Sequence, residues 1–71
     1  MRIIDVLIKI SEDKIQEGTI IRYRGEDYKF KYLGGLKCFY NEKEAEYLDV
    51  LQCLDEECTL YKKCNNWPVF I

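Results

Sequence analysis

A chain of 71 residues is too short to divide its core between two domains, because folding at this length buries only about 60% of the unfolded surface. With 48% hydrophobic and 34% charged residues it has the balance of a folded chain and not of a disordered one. A net charge of -2 speaks against a broadly basic nucleic-acid domain, and the absence of histidine removes the usual general base and metal ligand.

The opening stretch "MRIIDVLIKIS" places Ile3, Ile4, Val6, Leu7, Ile8 and Ile10 on one wide helical arc and Arg2, Asp5, Lys9 and Glu12 on the other. This pattern predicts an amphipathic helix ending near Asp13. Asp5 and Lys9 interrupt the apolar run and no small-residue cleavage pattern follows, so neither a signal peptide nor a membrane span is expected and the predicted location is the cytoplasm.

"TIIRYRGEDYKFKY" is rich in β-branched and aromatic residues and predicts a hairpin, with Gly25 and Glu26 as the two turn residues. That register sets Tyr23 against Tyr28, Ile21 against Phe30 and Thr19 against Tyr32 on a face turned to the helix. Arg22 with Lys29, Arg24 with Asp27 and Ile20 with Lys31 line the other face. Gly34 and Gly35 then mark a turn into a third short strand, "LKCFY", whose buried face is ambiguous.

"NEKEAEYLDVLQCLD" predicts a second helix, capped by Asn41, with Glu42 and Glu44 in its first turn and Tyr47, Val50, Leu51 and Leu54 on one stripe. "CTLYK" alternates Cys58 and Leu60 inward against Thr59 and Tyr61 outward and predicts a last strand. The expected fold is therefore α+β, in the order α-β-β-β-α-β, with both helices on one face of an antiparallel sheet. Residues 1-62 form that domain and residues 63-71 an apolar C-terminal tail. In the tail Asn65 and Asn66 favour a turn and Pro68 forbids a central strand, while Trp67, Phe70 and Ile71 need cover, either from the core or from a partner, including a second copy in a homodimer.

The residues point away from catalysis: Ser11 is the only serine and no strand-to-helix junction carries a glycine-rich phosphate loop. Cys38, Cys53, Cys58 and Cys64 match zinc in number, but the gaps are wider than paired zinc ligands use, so small-hydrophobe roles are expected and neither a metal nor another cofactor.

Charge is unevenly laid out. Ile20 to Lys37 holds five basic and two acidic residues, and Glu42 to Glu57 one basic and seven acidic. Two partner surfaces follow from this dipole. One is a basic hairpin face of Arg22, Arg24, Lys29 and Lys31, suited to nucleic acid or to an acidic protein patch. The hairpin aromatics Tyr23, Tyr28 and Phe30 fall on the opposite, core side, which makes nucleic acid the weaker of the two. The other surface is an acidic helix face of Glu42, Glu46 and Asp49, continued by Asp55 and Glu56, which imitates a row of phosphates.

The stretches "MRIIDVLIKISEDK", "GTIIRYRGEDYKF" and "LQCLDEECTLY" resemble a group of small phage and prophage proteins of low-GC Gram-positive bacteria. The shared pattern is an N-terminal amphipathic helix, a hairpin, and a closing leucine, acidic turn and apolar strand, here Leu54, Asp55, Glu56, Glu57, Cys58, Thr59 and Leu60. Cys58 stands where the group usually has valine. The resemblance spans roughly the first 62 residues and stops at the tail. It brings no catalytic residues, and it implies an accessory protein that binds and inhibits a host protein in the host cytoplasm, an anti-CRISPR acting on an effector nuclease being the leading case. A small phage regulator that touches nucleic acid through the basic hairpin face is the alternative.

Overall fold

The computed structural model describes all 71 residues. Its elements are α1 (Ile3–Ser11), β1 (Ile20–Tyr23), β2 (Glu26–Leu33), β3 (Leu36–Asn41), β4 (Glu46–Tyr47), a 3-10 turn (Val50–Gln52), β5 (Thr59–Cys64) and β6 (Trp67–Phe70). The six strands form one antiparallel sheet in the order β4-β3-β2-β1-β5-β6, giving an α+β domain with a single α-helix.

The first helix forms as its periodicity predicts, and both ends are tied. Asp5 accepts the Arg2 N–H at 2.9 Å, while the Ile3 and Ile4 N–H groups donate to the carbonyls of Glu56 and Leu54, so the N-terminus is docked on the loop before β5. At the other end Asp13 is left-handed, at φ 56°, and the Lys14 N–H donates back to the Lys9 carbonyl while the Asp13 N–H donates to Ile10. This is a Schellman stop with aspartate where glycine is usual.

Ile3, Val6 and Ile10 of α1 pack with Ile15, Ile21, Tyr23, Phe30, Phe39, Cys53, Cys58 and Leu60 in one core. Phe30 is fully buried at its centre and lies against its cross-strand partner Phe39, ring centroids 5.1 Å apart. Burying a phenylalanine is worth about 1.5–3 kcal/mol, so this pair anchors the helix side of the sheet.

The structure departs from the expected fold first at the hairpin. The hairpin turn consists of Arg24 and Gly25, both left-handed (φ 52° and 76°), which makes the primed turn that suits the twist of the strands. Arg22 therefore faces Asp27, Ile20 faces Lys29 and Ile21 faces Tyr28. The register is displaced by two residues from the expected one, and a shift of two keeps the strand side chains on their expected faces; Arg24, now a turn residue, is the exception.

The second helix is absent, and with it the order α-β-β-β-α-β. Asn41 does act as a cap, its side-chain oxygen accepting the N–H groups of Lys43 and Glu44 at 3.0 and 3.1 Å, but it caps a turn that Ala45 closes at φ 54°. The chain reverses into β4, where Tyr47 packs on Tyr40 at 4.9 Å, and the Leu48 N–H donates to the Phe39 carbonyl. Leu48, Val50 and Leu54 still reach the core, from a loop and a 3-10 turn and not from a helix.

The boundary expected after residue 62 falls inside β5, and Trp67–Phe70 is an edge strand joined to β5 through the left-handed pair Asn65 and Asn66. The Ile71 N–H donates to the Leu60 carbonyl, so by alternation Pro68 and Phe70 turn their backbone outward. Proline has no N–H to offer there, which blunts the edge against strand addition.

Candidate interaction surface: the open face of the sheet

With α1 on one side, the other side of the sheet has no covering element. Strand alternation sends Ile20 and Arg22 of β1, Asp27, Lys29 and Lys31 of β2, Cys38 and Tyr40 of β3, Tyr47 of β4, Tyr61 and Lys63 of β5, and Pro68 and Phe70 of β6 to this open face. Across the strands one residue from each falls in register, as Tyr47, Tyr40, Lys29, Ile20, Tyr61 and Phe70. At about 4.8 Å per strand this row is roughly 24 Å long.

Its centre is held by ion pairs. Arg22 donates from Nε to Asp27 Oδ1 at 2.9 Å and from Nη2 to Oδ2 at 3.2 Å, and the Tyr61 hydroxyl donates to the same Oδ2 at 2.8 Å. The Arg22 hydrogen bonds hold the Asp27 carboxyl below the ordinary range, whereas burial, then the bond to Asp27, push the Tyr61 phenol up. The Arg22 guanidinium also lies over the Tyr61 ring, 5.6 Å from its centroid. Nearby, Glu42 Oε1 stands 3.3 Å from Lys29 Nζ and 3.5 Å from Lys31 Nζ, and the Lys29 bond draws the Glu42 carboxyl downward. Lys31 Nζ is 5.1 Å from the centroid of the Tyr40 ring.

Two hollows open on this side and a third lies at the end of the sheet beside Gln16–Thr19; Lys63 borders all three. One of the two on this side, of about 310 Å3, is lined by Ile20 and Tyr40 and by charges of both signs, Glu26, Asp27 and Glu42 against Lys29, Lys43 and Lys63. Lys43 and Lys63 take part in none of the ion pairs of the face, which are those of Arg22 with Asp27 and of Glu42 with Lys29 and Lys31.

The residues expected to form sites are thus redistributed. Arg22, Lys29 and Lys31 do share a face. Arg24 leaves it: as a turn residue it binds Glu56, its Nε donating at 3.1 Å, and lies over the Tyr23 ring. The acidic residues are not brought into one row. Glu42 serves the basic face, Glu46 sits on the short edge strand, Asp49 precedes the 3-10 turn, Asp55 lies 4.0 Å from Arg2 and Glu56 holds Arg24. Of the tail residues, Phe70 stands over Tyr61 with ring centroids 5.8 Å apart, while Trp67 falls on the helix side of the sheet and Ile71 follows β6.

The face also holds residues that the sequence did not single out, namely Tyr40, Tyr47, Lys43 and Lys63. The outward placement of Tyr61 was legible in the alternation of "CTLYK"; Tyr40 and Tyr47 were not, because one lay on a strand of ambiguous face and the other in the expected helix. No helix is long and apolar enough to cross a membrane. Comparison with protein-family models, with curated proteins and with solved structures finds no match to this chain.

Proposed function

We propose that this chain is a small non-catalytic binding protein that contacts nucleic acid through the open face of its sheet, in a phage or prophage regulatory setting within the host cytoplasm. The observation that carries this reading is the company of the cations: Arg22, Lys29, Lys31 and Lys63 share one uncovered face with Tyr40, Tyr47, Tyr61 and Phe70. Four basic side chains against Asp27 and Glu42 leave this face positive on a protein of net charge -2, and phosphate is the anion such a layout suits. The hairpin aromatics Tyr23, Tyr28 and Phe30 lie on the core side as expected, but rings from the other strands, Tyr40, Tyr47 and Phe70, lie among the cations and answer part of the objection the sequence raised.

The test is a titration with labelled DNA, single-stranded and duplex, over a range of salt. Binding should weaken linearly in the logarithm of salt, and Lys43→Glu with Lys63→Glu should weaken it further. Flat titrations at low salt overturn the reading.

A second reading, inhibition of a host protein such as a CRISPR effector nuclease, draws on the exposed C-terminal strand, where Trp67, Phe70 and Ile71 are more than half exposed. Large exposed apolar side chains mark protein interfaces, and this strand presents them on both faces, Trp67 on the helix side and Phe70 on the open side. Capture from a host lysate separates the two: one partner that survives nuclease treatment supports inhibition, and enrichment lost with nuclease supports nucleic-acid contact.

A further inference from the structure

The six-residue row has aromatic rings at both ends and one cation, Lys29, between them, and its rings differ in what they offer to a ligand. Tyr61 is only 4% exposed, covered by Arg22 and Phe70, so its ring faces are already used. Tyr47 and Phe70, at the two ends, are 58% and 64% exposed. Each leans on a more buried ring behind it, Tyr40 and Tyr61, which orients the outer ring without covering it. Between the ends lie Lys43 and Lys63, which join no ion pair, and Lys29, which is paired with Glu42; all four line the same hollow.

Duplex ends aside, paired bases show no free ring faces, and duplex recognition calls for an element that enters a groove. The single α-helix lies on the opposite side of the sheet from these cations. A broad sheet face with rings set apart and cations between them is instead the arrangement that unpaired bases and a flexible phosphate chain satisfy together. Resting on the nucleic-acid reading above, we propose that the occupant of this face is a single strand running across the sheet. One base stacks on Tyr47, another on Phe70, and the intervening phosphates meet Lys29, Lys43 and Lys63. A run of about 24 Å leaves room for several nucleotides, the span of one small sheet-based site.

Fluorescence anisotropy with a labelled oligothymidine, its oligouridine counterpart and a duplex of matching length tests this with the full chain. Single strands should bind at least ~10-fold tighter than duplex, and Tyr47→Leu and Phe70→Leu should each weaken single-strand binding by roughly 5- to 100-fold. Tyr47→Trp, which keeps a stacking face, should retain binding, and circular dichroism checks that each variant folds. Equal affinity for duplex, or indifference to loss of either ring while Lys43→Glu and Lys63→Glu still weaken binding, overturns the single-strand inference and leaves phosphate contact standing. No binding of any probe at low salt overturns both.

Discussion

Asp27 is the direct cross-strand neighbour of Arg22 and accepts two of its hydrogen bonds, at 2.9 and 3.2 Å. The pair answers a difficulty posed by the sequence, where Arg22 was expected opposite Lys29 and like charges in that position are destabilising. The two-residue change of register supplies the counter-charge without moving either side chain to the other face.

Replacing Asp27 by asparagine should lower stability by about 1 kcal/mol at neutral pH, since the Arg22 pair is partly exposed and the Tyr61 bond only partly buried. The pH dependence has a definite sign. Arg22 depresses the folded-state value of Asp27, so this contribution is fully present above the ordinary aspartate value of about 4 and is lost as pH falls through the lower folded value. Urea midpoints of the two proteins should therefore converge as pH falls below the ordinary aspartate value. A gap that stays constant with pH would show that the pair contributes nothing electrostatic.

Asp13→Gly should stabilise the protein. Asp13 sits left-handed at the C-terminal stop of α1, where a side chain is strained and a carboxylate opposes the helix dipole. The expected gain is about 0.5–1 kcal/mol, or roughly 4 °C in thermal midpoint for a domain of this size. Asp13→Ala removes the charge but keeps the strain, so it should recover less; an equal gain from alanine would assign the effect to charge alone.

The four thiols should react in the order of their exposure. Cys64 is exposed and Cys38 half-buried, while Cys53 and Cys58 lie in the core, where burial pushes both thiols up from their ordinary value. Alkylation at neutral pH, followed by mass spectrometry, should mark Cys64 first and Cys53 and Cys58 only on unfolding. Early labelling of Cys58 would mean that the loop before β5 opens independently of the core.

Glu42→Gln distinguishes the two functional readings, because Glu42 holds both Lys29 and Lys31. If the open face binds nucleic acid, freeing two cations should tighten binding and steepen the logarithmic salt dependence by up to about 1.4 for a single strand. If the carboxylates themselves imitate phosphates for a host nuclease, the same change should weaken inhibition. Side-by-side binding and inhibition assays of one variant read both outcomes.

Local pattern was sufficient wherever one face of an element meets the core. The 3.6-residue period from Ile3 to Ile10 determined α1, the strand composition from Ile20 onward determined the first hairpin, and alternation determined that Leu60 points in and Tyr61 out. These features follow from which side of the backbone must leave water, and any register that kept them had to be displaced by an even number of residues.

Only the tertiary structure decided the turn at Arg24 and Gly25 and the fate of Asn41 to Asp55. Asn41 bonds the N–H groups that follow it whether a helix or a turn comes next, and Glu44, Ala45 and Leu51 have helical propensity, so local signals favoured the helix. What overrode them was the unpaired edge of β3 together with the core's demand for Leu48, Val50 and Leu54. A reversed chain satisfies both at once, through the Leu48 bond to Phe39 and the packing of Tyr47 on Tyr40. The same reversal carries Glu42 to the lysines and Tyr47 to the open face, so one member of the expected acidic row braces the basic face while the others are dispersed.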